Sequence, residues 1–186
     1  MSALKLLRTL RLDPSDTFVF AHPAEPGEWA VTGSFLFYDV DPSALSPKER
    51  AAFRSGFVGV GSFGFSTLVV VSEASEAERE AAVAALARHI RERLGAPDLE
   101  TARAAAREEI AVAASLCAPP LNTVIAMNRS LADGALRERF RTLQRRVATP
   151  AADGLHAHAR AFTFVETDDE PEETVDLLGL MDKGRE

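Results

Sequence analysis

The stretch from residue 55 to residue 72 constrains the fold more than any other part of this chain. It follows Arg54 and runs for eighteen positions without a charged residue. Its second half, Phe65–Val71, is an apolar run rich in β-branched residues, which is typical of a central strand covered on both faces. The sequence therefore predicts that burial is deepest at Leu68–Val71, with other strands beside this one and helices packed over it.

Chain length, cysteine content and the lack of long apolar segments indicate what kind of protein this is. A chain of 186 residues suits one domain with a core of its own. The single cysteine, Cys117, excludes an intramolecular disulfide and is typical of a reducing compartment. No segment has the pattern of a membrane helix or a secretory signal, so we expect a cytoplasmic protein without membrane contact.

The net charge of −7 lies in one segment. Residues 166–186 hold nine acids and two bases and carry all of it, which leaves residues 1–165 neutral. A neutral body with an acidic appendage argues against nucleic acid as a partner. The sequence indicates a single domain over residues 1–165, followed by an acidic C-terminal tail with an apolar tip.

Turn and capping residues divide the body into strands and helices. Residues 4–12 suit the edge strand of a sheet or a short helix about equally. Two further strands are predicted at 17–20 and 29–37, forming an antiparallel hairpin. Downstream, capping patterns and periodicity predict helices over 46–53, 75–94, 98–118 and 135–146, and strands over 123–127 and 162–165. The fold class predicted is α+β, with a mixed or antiparallel sheet of five or six strands covered by the helical hairpin of 75–118.

A glycine pattern offers the first candidate site. Gly59, Gly61 and Gly64 spell G-x-G-x-x-G, but a dinucleotide-binding loop must open a helix, whereas this one enters a strand. A kinase-type glycine loop would need a lysine on the following strand and catalytic motifs that are missing. A structural bend is the favoured interpretation. The alternative is a small-molecule-binding domain or enzyme with a pocket at 56–66, whose ligand contacts would be Arg54, Gly59, Gly61, Ser62 and Gly64.

Two further residue patterns are weaker candidates for a functional site. His156 and His158 would point to one face of a strand and suit two metal ligands, although a solvated pair is the favoured interpretation. Cys117 lies at the C-terminus of a predicted helix, where a negatively charged thiolate is disfavoured. A buried core position is therefore the favoured interpretation. We expect no catalytic residue and no cofactor, and enzymatic activity is less expected than its absence.

The acidic tail ends in apolar residues that are costly to leave in water. We expect these residues to dock on the same domain, on a second copy or on another protein, with the acids near Arg137–Arg146. A protein partner or a homodimer is therefore expected. The predicted interaction residues are Leu177, Leu178, Leu180 and Met181.

Several segments together resemble a family of uncharacterised alphaproteobacterial proteins, a domain of unknown function without established activity. The resemblance spans roughly residues 4–146 and is carried by LKLLRTLRLDPSDTFVF, EPGEWAVTGSFLFYDVDP, AAFRSGFVGVGSFGFSTLVVV and EEIAVAASLC. It implies genomic company with a biotin/lipoate-ligase-like protein and with formate-dehydrogenase accessory genes. The role implied is that of a non-enzymatic accessory protein in the maturation of a cofactor-dependent enzyme.

Overall fold

The structure, a computed structural model, describes residues 3–145 and 164–166. In this part of the chain, eight strands form one sheet and four helices pack around it. The strands are β1 (Lys5–Leu10), β2 (Trp29–Val31), β3 (Phe57–Gly59), β4 (Phe65–Ser66), β5 (Leu68–Glu73), β6 (Val124–Ala132), β7 (Ala135–Arg145) and β8 (Phe164–Glu166). The helices are α1 (Ser15–Val19), α2 (Pro47–Ser55), α3 (Glu76–Leu94) and α4 (Leu99–Ser115).

The order of strands across the sheet is β4-β3-β2-β1-β5-β6-β7-β8. Each strand is antiparallel to its neighbours in this order. The α+β class is confirmed, and the sheet is of the antiparallel type that was one of the two predicted. The prediction of five or six strands is wrong, since the described residues contain eight. The glycine-rich segment supplies two short strands, β3 and β4, and residues 135–145 supply another.

The first strand lies inside the sheet. Residues 5–10 form a strand, one of the two alternatives predicted, but the predicted edge position is wrong, because β1 pairs with β2 on one side and with β5 on the other. Its basic residues are accommodated by their long stems, because the apolar stem can be buried while the charge stays at the surface. The guanidinium of Arg8, for example, stacks 3.6 Å from the ring centroid of Trp29.

The central strand β5 is buried on alternate residues only. Val69 and Val71 are fully buried, whereas Leu68 and Val70 are half-buried. The prediction of deep burial over the whole of Leu68–Val71 is therefore wrong for two of its four residues. An antiparallel sheet can leave one face partly open, and an apolar run does not reveal this.

A short helix, α1, replaces the strand predicted at 17–20. Asp16 is buried, and its carboxylate accepts hydrogen bonds from the backbone amide and hydroxyl of Thr67 and from the hydroxyl of Ser66. These long-range hydrogen bonds hold α1 against Ser66 and Thr67, and residues 15–19 form a helix instead of a strand. The predicted hairpin does not form, because β2 ends at Val31 and the chain then turns through Gly33, whose φ is 78°.

The helix predicted over 135–146 is also wrong, since residues 135–145 form β7. Asp133 and Gly134 have φ values of 53° and 78°, as a two-residue hairpin turn of type I′ requires. This turn reverses β6 directly into β7, with Ala132 opposite Ala135. Asp-Gly is a strong hairpin signal, and here it outweighs the helical preference of the arginines and glutamates that follow.

The remaining helices, α2, α3 and α4, begin where the capping residues predict. Ser46 and Ser75 each form a capping box at the start of α2 and α3, Gly95 ends α3 with φ 74°, and Asp98 caps α4. The hairpin of α3 and α4 shares one hydrophobic core with β1, β2, β5 and β6. The buried residues of α4 are mostly alanines, which let it approach its neighbours closely. None of the helices in the described residues has the length and apolar character needed to cross a membrane.

Candidate functional site

The glycine-rich loop connects β3 to β4. It is closed by two backbone hydrogen bonds, from the amide of Gly59 to the carbonyl of Gly64 and from the amide of Phe63 to the carbonyl of Gly59, both 2.9 Å. Phe63 has a φ of 59°, which is unusual for an aromatic residue. The turn thus points consecutive backbone N–H groups in one direction, the arrangement by which glycine-rich loops bind anions.

The anion in this loop is a carboxylate of the same chain. Glu28, at the start of β2, accepts hydrogen bonds of 2.8 Å from the amides of Gly61 and Ser62. It also accepts a hydrogen bond from the hydroxyl of Ser62 and one of 3.0 Å from the amide of Glu25. The donors that a phosphate or carboxylate ligand would use are therefore bound to Glu28.

Two histidines hold the carbonyl side of the loop. The Nε2–H of His89, on α3, donates to the carbonyl of Gly61 at 2.8 Å, and that of His22 donates to the carbonyl of Ser62 at 3.1 Å. The ring of His89 stacks on Phe63 with centroids 4.8 Å apart. His22 and His89 are far apart in the chain, and the fold brings both to one turn.

The glycines of the loop are needed because protein atoms fill the space beside them. A Cβ at Gly59 or Gly61 would lie within 2.7 Å of a Glu28 oxygen, and one at Gly64 would meet the backbone of Pro23. Arg54 lies on the exposed last turn of α2. Among the described residues, no hydrogen bond or ion pair joins Arg54 to the loop.

Other predicted site residues fall outside the part of the chain that the structure covers. These are the metal candidates His156 and His158 and the interaction residues Leu177, Leu178, Leu180 and Met181. Across residues 3–145 and 164–166, no group of three or more His, Cys, Asp or Glu side chains could hold a metal ion. Cys117 is buried, as expected, and burial raises the pKa of its thiol to about 11.

A buried ion pair forms the second cluster of charged residues. Arg129 of β6 and Glu138 of β7 are 1% and 2% exposed, and their Nε and Oε1 atoms are 2.8 Å apart. Arg129 also donates to the carbonyls of Phe53, at 2.9 Å, and Thr32, at 2.6 Å. This arginine therefore ties the β6–β7 hairpin to α2 and to the end of β2.

Two more titratable groups lie near this pair. Burial, together with the charge of Glu138, raises the pKa of Glu109 on α4 to about 7. Burial also raises the pKa of Tyr38 and that of Glu138, for which the charge of Arg129 is a partial offset. The Oε2 atom of Glu138 is buried and has no hydrogen-bond partner among the described residues. Glu109 is partly buried and close to a second carboxylate, which favours uptake of a proton by Glu109.

Sequence reasoning missed both clusters, but one of them had a usable signal. Arg129 and Glu138 are symmetric about Asp133-Gly134, so a two-residue turn at that dipeptide places them directly opposite each other. Glu28, His22 and His89 had no such signal. They are distant in sequence from the loop, and only the packing of β2 and α3 brings them to it.

Comparisons with known proteins locate the chain in one family. No curated protein and no solved structure matches it. The sequence profile of one family, described as a family of unknown function, matches residues 3–164 and so covers most of the chain. The chain therefore belongs to the family of unknown function DUF6505.

Proposed function

We propose that this protein is a non-enzymatic accessory or protein-interaction domain. The observation that carries the proposal is the carboxylate of Glu28 in the glycine-rich loop, since it binds the donors that a small-molecule site would need. Because Glu28 occupies the amides of that loop, the surface of the domain is the better candidate for binding a partner. The resemblance noted above supports a role beside a cofactor-dependent enzyme during its maturation.

The exposed apolar residues of the segment 12–19 are the surface we assign to the partner. Phe18 is 74% exposed, and Leu12 and Val19 are also exposed. The hydrogen bonds of Asp16 anchor α1 to Thr67, so these side chains are presented from a fixed base. Exposed aromatic residues on an ordered base are typical anchors of protein interfaces.

Site-specific photocrosslinking in the native host tests this proposal. A photoreactive amino acid at position 18 should capture a defined protein, and Leu12→Ser should weaken the capture because it removes another exposed apolar side chain of the same segment. The matched control is the same photoreactive residue at position 94, which is also exposed but lies at the end of α3. Equal capture from both positions, or none from position 18, would refute an interface at α1.

The competing function, a small-molecule site at the glycine-rich loop, requires Glu28 to leave its donors. Thermal denaturation in the presence of ATP, NAD and coenzyme A distinguishes the two functions. We expect no stabilisation of the native protein, because the loop amides are already bonded. A stabilisation by one of these ligands that disappears in Gly61→Val, with the fold intact by circular dichroism, would favour the ligand site.

A further inference from the structure

Four hydrogen-bond donors converge on the carboxylate of Glu28. Its Oε2 atom accepts from the amides of Gly61 and Ser62, both at 2.8 Å. Its Oε1 atom accepts from the hydroxyl of Ser62 and, at 3.0 Å, from the amide of Glu25. Each oxygen therefore has two donors, which matches the acceptor capacity of an ionised carboxylate. Three of the four donors are backbone amides, whose positions do not depend on any side-chain rotamer.

The glycine-rich loop is held by contacts that do not involve the side chain of Glu28. Besides the two backbone hydrogen bonds that close its turn, the amide of Val60 donates to the carbonyl of Trp29 at 2.8 Å. On the other side of the turn, His22 and His89 donate to two carbonyls of the loop. The direction of the loop amides is therefore set independently of the carboxylate that they bind.

The backbone of Glu28 is also anchored independently of its side chain. Its carbonyl accepts from the amide of Thr9 at 2.9 Å, and its own amide donates to the hydroxyl of Thr9 at 3.1 Å. Thr9 lies on β1 and is buried, whereas Glu28 is only half-buried. Rotation of the Glu28 side chain can thus remove its carboxylate from the loop without loss of a hydrogen bond between backbone groups.

We propose that the glycine-rich loop is a carboxylate-binding site and that Glu28 is an internal ligand that keeps it closed. The contact is autoinhibitory, because a carboxylate of a second molecule binds the same donors only after Glu28 has turned out into solvent. The carboxylate of Glu28 is tethered beside these donors, so its effective concentration exceeds that of a free ligand. The site is therefore closed in the isolated protein.

The arrangement of the donors favours a carboxylate over a simpler anion. The donors form two pairs, and each pair is bound to a different oxygen of one carboxylate. A chloride ion has one acceptor centre and cannot take the place of both oxygens. The space is also of the right size, since a Cβ at Gly59 or Gly61 would collide with the carboxylate of Glu28. Removal of that side chain frees the space for a small carboxylate.

Replacement of Glu28 by alanine, with acetate as the probe, tests the site. In sodium chloride, Glu28→Ala should melt at a lower temperature than the native protein, because four donors lose their acceptor. Sodium acetate at the same ionic strength should raise the melting temperature of this variant by about 2–4 °C. The native protein should melt at the same temperature in both salts, because its site is closed. Glu28→Gln, which keeps the space filled, should not distinguish the salts either.

The matched control is Glu25→Ala. It removes the same charge from the same exposed turn but keeps the amide of residue 25 and the carboxylate of Glu28, so acetate should have no effect on it. Nuclear magnetic resonance locates the bound acetate. The amide resonances of Gly61 and Ser62 should shift to saturation as acetate is added to Glu28→Ala, and they should stay in place in the native protein.

The outcomes separate the site from its closure. A folded Glu28→Ala protein that melts at the same temperature in acetate and in chloride would overturn the site. Unfolding of this variant in both salts would also overturn it, because the loop would then need Glu28 in order to form. Folding in acetate alone would support the site. An equal response of the native protein and Glu28→Ala to acetate would show that Glu28 does not close the site.

Discussion

Single charged side chains decide how several parts of this protein are joined. Arg129 binds Glu138 and two backbone carbonyls, and Glu28 binds the amides of the glycine-rich loop. A buried pair of this kind is not in itself a large source of stability, because desolvation offsets the attraction. Loss of one partner is nevertheless costly, since the other charge is left buried and unpaired.

Arg129→Met should lower the free energy of unfolding by about 3–5 kcal/mol, because it leaves Glu138 without its counter-charge. The double variant Arg129→Met/Glu138→Leu should recover a large part of this loss, since no charge is then left in the core. Urea denaturation measures both effects. Arg103→Met, an exposed change on α4, is the control and should change the free energy of unfolding little.

Glu109→Gln should alter the pH dependence of stability. The folded-state pKa of Glu109 is raised to about 7 from an ordinary value of 4.5, so the folded state binds more protons between these values. Stability of the native protein should therefore rise as the pH falls from about 7 towards 4.5. The amide has no charge to desolvate, so the variant should be more stable than the native protein at pH 8, by about 2 kcal/mol.

Denaturant midpoints at pH 5 and pH 8 check this prediction. The difference between native protein and variant should be large at pH 8 and small at pH 5. Glu138 also has a raised pKa and is kept in the variant, so some pH dependence should remain. A difference between the two proteins that does not change with pH would show that Glu109 is solvated in the folded state.

Among the secondary-structure elements, β5 shows how pairing partners determine burial. Its residues alternate between a fully buried face, with Val69 and Val71, and a half-open face, with Leu68 and Val70. The buried face belongs to the same core as α3 and α4. Adjacent valines of equal size therefore occupy very different environments, and this provides a matched comparison.

Val69→Asp should prevent folding or lower the free energy of unfolding by more than about 4 kcal/mol, because the carboxylate would be forced into the core. Val70→Asp, one residue along, should cost clearly less, since its side chain can reach water. Solubility and thermal denaturation of the two variants measure the difference. Equal loss of folding in both would show that the second face of β5 is also covered.

At the scale of the whole molecule, the sheet in the described residues consists of two four-stranded meanders joined at their first strands. β1–β4 form one and β5–β8 the other, and within residues 3–145 and 164–166 only β1 and β5 pair without being consecutive strands. The α3–α4 hairpin is inserted between β5 and β6 and packs in the core of both halves. The centre of the sheet therefore depends on contacts between residues far apart in sequence.

Amide hydrogen exchange should be slowest in β1 and β5. These strands are paired on both sides and contain the fully buried residues Leu7, Val69 and Val71, so their amides should exchange only when the molecule unfolds globally. Amides of β4, a two-residue strand at one end of the sheet, should exchange through local opening. Mass spectrometry of deuterated peptides checks the order, and protection of β4 equal to that of β5 would contradict it.

The sequence by itself determined the α+β class, the starts of α2, α3 and α4 and the end of α3, because the capping serines, Asp98 and Gly95 act locally. It did not determine the state of 17–20 or 135–145, since Asp16 is held by a distant strand and the Asp133-Gly134 turn only acts when β6 is present to be reversed. Tertiary structure alone placed Glu28, His22 and His89 around the glycine-rich loop. Such a site depends on sheet order and helix packing, which are set by the summed burial of many side chains rather than by any short motif.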